Sequence, residues 1–496
     1  MNKTFFRTIA LILALAMIIP LLVSCNSKKT AENGGGDETK KTNEDKEYLD
    51  DVGDTDEFRD RTFTVLARED NMYGSFAHEV IADEDEVELV NQAVYERNTA
   101  VEDRFGVDIN VVLKPGAWAQ KGDFIDSFKT SIMAGDGEYD LIMSQEAYMV
   151  SIALQQLYLN LYNVENLNFD KDYWYQDIIK ETTYDGKMFY AVGDYSLTYW
   201  EYLYVLYFNK TIANNYNVEN LYDLVKSGDW TFDKMIEITK GKYKDLNGDN
   251  WPDQSDQFGY ITCIGNTMDA LYSQFELPTT SRDDDGNIIL NVDQSKAVAI
   301  FEKLATFIDF EEVHIEETSS ATTEDEDPLD KMFQEDKALF YPERIDRAHK
   351  FRGMETDFGI IPYPKWNEQQ KAYPTHAQDG YSVAVIPVDV KDPAFSGAML
   401  EVLTAESHRT VIPAYNEQAL TYKYTRDDES AEMLDLVREN INVTFGFFWD
   451  NDLDTSNWFR VLVPQRNSNF VSFYAANKTG YERQLKKILK AYTDHE

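Results

Sequence analysis

Between Thr62 and Met143 the chain switches back and forth between two hydrophobic periods, and this alternation restricts the fold more than any other feature. Thr62 to Ala67 (TFTVLA) and Val107 to Leu113 read as strands, and Tyr139 to Met143 (YDLIM) as a third. Between them, Glu88 to Phe105 carries apolar residues at 89, 90, 93, 94, 101 and 105, a helical spacing, and Gly106 supplies a stop signal. Phe124 to Ala134 predicts a second helix, ended by Gly135 to Gly137. Strand, helix, strand, helix, strand is the order of an α/β domain with a mainly parallel sheet. In such sheets the loops after the strand C-termini face the ligand crevice. Those loops start near Arg68 and Ser144, which makes Tyr73, Gln145 and Tyr148 candidate binding residues.

Met188 to Lys210 is the most aromatic stretch, with Tyr195, Tyr199, Trp200, Tyr202, Tyr204, Tyr207 and Phe208 in fifteen residues. Aromatic residues favour strands. We expect a strand, a turn at Gly193-Asp194, then a longer strand. Leu203 to Phe208 reads as a core strand. Asp194 to Tyr202, where polar residues interleave, reads either as core or as a binding surface, and Asp194, Tyr199 and Trp200 are candidates there. Neighbouring side chains on a regular strand point to opposite faces, so only one of Tyr199 and Trp200 can face a cleft.

The first 24 residues stand apart from the fold. Lys3 and Arg7 precede an apolar run from Ile9 to Leu22, the make-up of a secretory signal. Leu22-Val23-Ser24-Cys25 resembles a bacterial lipobox, which implies cleavage before Cys25 and lipidation of its thiol; an uncleaved anchor is the alternative. Acyl chains contribute about 0.8 kcal/mol per buried CH₂, enough to hold a multiply acylated protein at a membrane surface. Residues 26–47 contain no aromatic or branched aliphatic side chain, and the segment 25–57 is expected to be a flexible tether. Loss of Lys3 and Arg7 would take the formal net charge from −42 to −44, which opposes nucleic acid and anionic lipid as partners. Cys263 is the one other cysteine, so no internal disulfide forms once Cys25 is lipidated.

Nucleotide motifs (GxGxxG after a strand, GxxxxGK[ST]), HExxH and GxSxG are all missing, and two cysteines cannot make a CxxC-based metal site. A Ser-His-Asp triad stays open, since six histidines are spread along the chain.

Several segments together resemble one family. They are Tyr139-Asp140-Leu141-Ile142-Met143, Leu206 to Lys210 (LYFNK), the following NLYDLVK helix with Gly228-Asp229-Trp230-Thr231-Phe232-Asp233, Phe333 to Phe340 (FQEDKALF), and Phe358 to Pro364 (FGIIPYP). Their order across residues 60–490 resembles the extracellular solute-binding proteins of bacterial ABC transporters, closest to the family 1, maltose-binding-like class. The resemblance implies an α/β fold of two lobes of type II, each a mainly parallel sheet flanked by helices, joined by hinge strands. It implies crossings near Tyr190–Tyr195, Ala338–Tyr341 and Tyr381–Ile386. Residues 58–192 with 339–383 would form lobe 1, and 193–338 with 384–496 lobe 2. Tyr381, at the last crossing, is a further candidate. Glu343 and Arg344 lie where the family turns toward its cleft, an ordinary surface ion pair being the other reading.

Asp245 to Asp256 (DLNGDNWPDQSD) places Asp245, Asn247, Asp249, Asp253 and Asp256 at positions 1, 3, 5, 9 and 12 of a twelve-residue loop, with the Trp251 carbonyl at position 7. That is EF-hand spacing, and it predicts a structural Ca²⁺ site. Asn250 replaces the usual Gly and Asp256 the usual Glu; a solvated acidic turn is the alternative. Glu311 to Asp330 reads as a solvated acidic loop. Val292 to Phe310, Ala394 to Ala405, Ala431 to Glu439 and Ser472 to Tyr492 read as helices. Phe445 to Trp449 reads first as core, with Trp449 kept as a candidate for the cleft.

The expected function is that of a monomeric, lipid-anchored binding protein on the outer face of the cell membrane, not an enzyme. It would take an oligosaccharide, with apolar sugar faces on rings and hydroxyls on polar side chains, and deliver it to an ABC permease. A surface glycosidase with paired carboxylates and a peptide binder of the same fold are the alternatives.

Overall fold

The computed structural model describes residues 48–71, 74–316, 327–418, 427–455 and 457–494. The signal segment, Cys25 and most of the expected tether therefore lie outside the described residues.

The alternating segments form the first sheet. Strands β1 (Thr62–Arg68), β2 (Asp108–Lys114) and β3 (Leu141–Gln145) are parallel, with β1 in the middle: Val65 stands opposite Val111 on one side and Leu141 on the other. The helix Leu89–Phe105 packs on this sheet through Val90, Val94, Val101 and Phe105. Glu88 caps its N-terminus by accepting from the Asn91 amide at 3.0 Å, and Gly106 ends it at φ 65°, a left-handed conformation that costs glycine nothing.

The second sheet is built from β4 (Tyr204–Asn209), β5 (Phe258–Cys263), β8 (Val313–Glu316), β9 (Ala338–Arg344) and β10 (Phe358–Ile361), in the order β10-β4-β9-β5-β8. Its β5 pairs in parallel with β8 and β9, whereas β4 is antiparallel to β9 and β10. This sheet is therefore mixed rather than mainly parallel. β6 (Thr280–Arg282) and β7 (Ile288–Leu290) form a separate hairpin, and β11 (Ser382–Val385) joins the first sheet antiparallel to β3.

This strand order corrects the expected lobe boundaries. β9 does not cross between lobes. It is a central strand, buried along its whole length, and it pairs Tyr341 with Tyr207 inside the second sheet. An apolar run buried on both faces looks the same in sequence whether it is a hinge or a central strand. The return crossing is at residues 376–382, and β11 and the helix Pro393–Glu406 then belong to the first lobe.

The aromatic run is also corrected. Only Tyr204–Asn209 is strand; Asn209 ends it by capping the next helix, its Oδ1 accepting from the Ile212 amide at 2.9 Å. Before it, successive turns bond Ser196 to Gly193, Tyr199 to Ser196 and Tyr202 to Thr198, with a helical turn at Thr198–Glu201. Asp194 and Ser196 supply the turn chemistry that the density of rings concealed.

Two segments connect the lobes side by side. The Ala191 and Ala384 backbones exchange hydrogen bonds of 2.9 and 3.0 Å, the Tyr204 amide donates to the His376 carbonyl, and the Gln378 amide to the Tyr202 carbonyl, both at 2.9 Å. A third segment joins them where Thr375 bridges Ile441. The last helix, Phe470–Asp494, packs on the second lobe through Phe470, whose ring stacks on Phe301 at 5.3 Å. Its far end reaches the first lobe, where the Tyr492 ring lies 4.9 Å from Phe189 and its hydroxyl donates to the Thr182 carbonyl. No helix among the described residues is long and apolar enough to cross a membrane.

The fold starts earlier than the expected tether boundary at 57. Val52 is buried with Phe58, and Asp50 forms an ion pair of 2.8 Å with Arg104 in which both side chains are almost fully enclosed. Arg104 supplies the counter-charge that the acidic segment could not show by itself. Losing one partner of such a pair costs about 3–5 kcal/mol. A chain starting at residue 48 is expected to keep the full-length urea midpoint, while one starting at residue 58 unfolds at clearly lower urea; equal midpoints would show that residues 48–57 contribute nothing.

Candidate functional site

The C-terminal ends of β1, β3, β5 and β9 converge on a cavity of about 410 Å³ between the two sheets. The first lobe supplies Arg68, Asn71, Phe76, Trp118 and Gln145, and the second lobe Cys263, Thr267, Glu343, Arg344 and Arg347. The connecting segments close it with Tyr202, Tyr204, Gln378 and Gly380.

Two guanidinium groups flank two rings across this space. The Arg68 guanidinium lies 3.7 Å from the centre of the Phe76 ring, Phe76 meets Tyr202 edge-on at 6.4 Å, and the Arg344 guanidinium lies 4.2 Å from the Tyr202 ring. The row thus runs from β1 through a connecting segment to β9. Arg68 also donates to the carbonyl of Gly380. A Cβ at Gly380 would lie 2.5 Å from the Tyr202 ring and 2.6 Å from Gln378 Oε1, so the backbone can come this close only as glycine. Trp118, on the loop after β2, is half exposed, with Lys121 Nζ 3.2 Å from its ring centre.

Charge inside the cavity is mostly paired. Arg344 donates to Glu343 Oε1 at 3.3 Å and meets Asp346 at 3.4 Å; Arg347 meets Asp330 at 3.4 Å. Burial pushes the Glu343 carboxyl above its ordinary value, against the pull of Arg347 and Arg344. The Cys263 thiol is pushed up to about 12, chiefly by burial, and stays neutral and unreactive.

Of the residues expected at a ligand, Gln145, Glu343 and Arg344 line this cavity. Tyr73 lies outside the described residues. Tyr148 is buried and donates to the Gly116 carbonyl at 2.9 Å, holding the loop behind the cavity. Asp194 is enclosed by Tyr175 and His408. Tyr199 is core, stacked on Tyr175 at 4.9 Å and edge-on to the equally buried Tyr381 at 4.9 Å. Trp200 is half buried and donates to the Tyr175 hydroxyl at 2.5 Å. Trp449 is fully buried against Phe445 and Tyr492. On a helical turn rather than a strand, Tyr199 packs into the first lobe, while the half-buried Trp200 ring lies 5.8 Å from the Arg438 guanidinium of the second lobe; neither lines the cavity. The residues not anticipated are Arg68, Trp118, Tyr202, Arg347 and Gln378. Two of them carried a usable signal, since Arg68 ends β1 and Trp118 follows the C-terminal end of β2.

Ser273 and His376 approach each other at 3.3 Å, but among the described residues no carboxylate is bonded to the His376 ring to complete a triad. His376 is packed between Tyr204 and Phe447, and among the described residues its Nε2 has no partner.

In the Asp245–Asp256 loop the side chains serve the loop's own amides. Asp245 accepts from Gly248 at 2.6 Å and from Asn250 at 3.0 Å, Asp249 from Trp251 at 2.7 Å, and Asp253 from Ser255 at 2.7 Å. Asp256 accepts from the Leu246 amide and the Tyr243 hydroxyl. Asn250 takes φ 60°, standing in for the usual glycine. Among the described residues no three His, Cys, Asp or Glu side chains come close enough together to hold a metal ion.

No protein-family model matches the chain, and no curated protein does. Solved structures do. The chain is similar to a cyclo/maltodextrin-binding protein complexed with maltotetraose, with TM-score 0.53 and 11% identity over 87% of this chain and 96% of that one. It is similar to the maltose-binding periplasmic protein MalE from Listeria monocytogenes in complex with maltose, with TM-score 0.52 and 13% identity over 88% and 99%. An ABC substrate-binding protein from the same organism, in complex with cycloalternan, gives TM-score 0.51 and 14% identity over 87% and 99%. At these identities the likeness establishes the fold: the chain has the two-lobed architecture of the maltose-binding-like solute-binding proteins.

His376 gives this region a pH signature. Burial, together with the Arg460 charge, moves its pKa from 6.5 down to about 3. Between those values the unfolded chain holds a proton that the folded chain does not. The contribution is whole above pH 6.5 and is lost as pH falls toward 3. Urea midpoints measured from pH 7 to pH 4 are expected to fall more steeply for the wild type than for His376→Asn; parallel slopes would show that His376 titrates normally.

Proposed function

We propose that this protein is an extracellular solute-binding protein that captures an oligosaccharide between its lobes and hands it unchanged to an ABC permease. The observation that carries this reading is the cavity itself. It sits at the strand C-termini of both sheets, is closed by the connecting segments, and mixes rings with amide and guanidinium donors. Neighbours of the same fold are described in complex with maltose, maltotetraose and cycloalternan. Rings suit the apolar faces of sugars, and fixed polar groups suit their hydroxyls. Hinge motion of two lobes is the usual closing movement in binding proteins of this kind. The lipobox-like Cys25 would hold the protein, as a monomer, on the outer face of the membrane beside its permease.

The glycosidase reading receives no support from the cavity. Among its described lining residues Glu343 is the one carboxylate, and Arg344 already holds it; glycoside hydrolysis needs a facing pair. Turnover of the bound saccharide would reverse that conclusion. Extended, backbone-directed contacts would instead favour a peptide.

A thermal-shift screen over oligosaccharides and peptides tests the reading, because a ligand bound only by the native state raises apparent stability. For the saccharide found, Trp118→Ala should cost about 2 kcal/mol, or roughly thirtyfold in affinity, with the unfolding midpoint unchanged. Wild-type affinity in that variant would move the stacking platform away from Trp118.

Calcium at Asp245–Asp256 is proposed on the spacing of the oxygen ligands. The ion would have to displace the loop amides that those oxygens now accept from. Chelation should then lower the melting temperature of the wild type and do so much less in Asp249→Ala. Equal sensitivity in both proteins sinks the assignment.

A further inference from the structure

The helix that follows β11 is interrupted beside the first crossing segment. Pro393–Glu406 is α-helical, Ser407–Val411 is a π-helical turn, and Ile412–Gln418 continues as α-helix. Single π turns inside α-helices are frequent at functional sites. This one sets His408 against Asp194 of the crossing segment, with the imidazole Nδ1 bonded to Asp194 Oδ2. The His408 side chain is 44% exposed and meets solvent, whereas that of Asp194 is 4% exposed. Asp194 also accepts from the Tyr175 hydroxyl at 2.8 Å, and that hydroxyl accepts from Trp200 Nε1.

A contact from the second lobe completes the chain. The Arg438 side chain is 10% exposed, and its guanidinium lies 5.8 Å from the centre of the Trp200 ring. It lies equally far from the ring of Tyr415, further along the helix that carries His408. Among the described residues Arg438 Nε and Nη2 have no hydrogen-bond partner, and Asp435, 3.8 Å from Nη1, stands mostly in solvent. Two rings of the first lobe are thus the main hold on this cation. One of them is fixed through Tyr175 and Asp194 by His408.

The other groups around the pair do not replace it. Tyr173, whose ring centre is 6.4 Å from that of His408, is bonded to Glu401. Glu406 and Arg409, on His408's own helix, pair with each other, and Arg97 from the helix Leu89–Phe105 donates to Ser407 at 3.1 Å. Asp172 adds its negative charge to that of Asp194. The bond to Asp194 raises the His408 pKa above 6.5. The charged pair is therefore complete below pH 6.5, and its contribution is lost as pH rises through the folded value. Asp194 then stays enclosed without a cation, which is unfavourable.

We propose that His408 and Asp194 form a pH-sensitive latch on the connection between the lobes: protonated His408 fixes the Asp194–Tyr175–Trp200 chain that grips Arg438, and loss of the proton loosens that grip. The latch acts on the lobes rather than on the cavity, so it operates whatever the solute.

The test is an NMR titration of the full chain with isotope-labelled histidine. Six histidines give few signals, and His408→Gln identifies the one in question. His408 should titrate above 6.5 in the wild type. Coupling is reciprocal: if the proton tightens the hold on Arg438, removing Arg438 must weaken the hold on the proton. Arg438→Met should therefore raise the proton dissociation constant of His408 about twofold or more. Removal of a positive charge without any latch would lower it, so the sign separates the two. Trp200→Phe, which keeps a ring and loses the donor to Tyr175, is the milder second variant and should act in the same direction. An unchanged or lowered constant in either variant overturns the latch. Urea midpoints give an independent reading. The loss caused by Arg438→Met should be larger at about pH 6 than at about pH 8.5, and independent of pH when His408→Gln is also present. Equal losses at both pH values in the single variant overturn the latch as well. Circular dichroism and a single cooperative transition establish that the variants fold.

Discussion

The architecture depends on a few backbone hydrogen bonds between the segments that cross from lobe to lobe. Chain connectivity alone would leave two lobes on strings. Here the outgoing and returning segments pair at Ala191 with Ala384 and at Leu203 with Ala377, and Ile441 extends the pairing through Thr375. Their amides are satisfied by one another, so the crossing can be buried without the penalty of unpaired backbone groups. Because Tyr202, Tyr204, Gln378 and Gly380 belong to these segments, the connection between lobes is also the wall of the cavity. Position and binding chemistry are thus set by the same short stretches of chain.

Much of the scaffold was legible in the sequence, because periodicity and caps act locally. The first three strands, the helix from Leu89 to Phe105 with its glycine stop, and the long last helix follow from apolar spacing. What was not legible depends on partners far away in the chain. Ala338–Arg344 reads equally well as a crossing and as a central strand, and only its pairing with Tyr204–Asn209 decides. Asp50 looks like part of an acidic tether until Arg104 is placed beside it.

The cleft was harder to read than the fold. Ring density drew attention to Tyr199 and Trp200, but rings fill cores as readily as they line clefts, and a helical turn at Thr198–Glu201 sends Tyr199 inward. The position rule was the better guide. Applied to every parallel strand, it marks the ends of β1, β2 and β3, and so Arg68, Trp118 and Gln145. Arg344 and Glu343 at the end of β9 came from the family resemblance, not from any local pattern.

The placement of the last helix has a consequence for how the chain is made. Tyr492 closes the seam at Phe189 and Thr182, and β11, which completes the edge of the first sheet, comes more than two hundred residues after β3. Neither lobe can therefore be finished while most of the polypeptide is still being synthesised. Contacts of such long sequence separation form late and slowly. The contacts that complete the two lobes can form only after the segments around β11 and the last helix have been made.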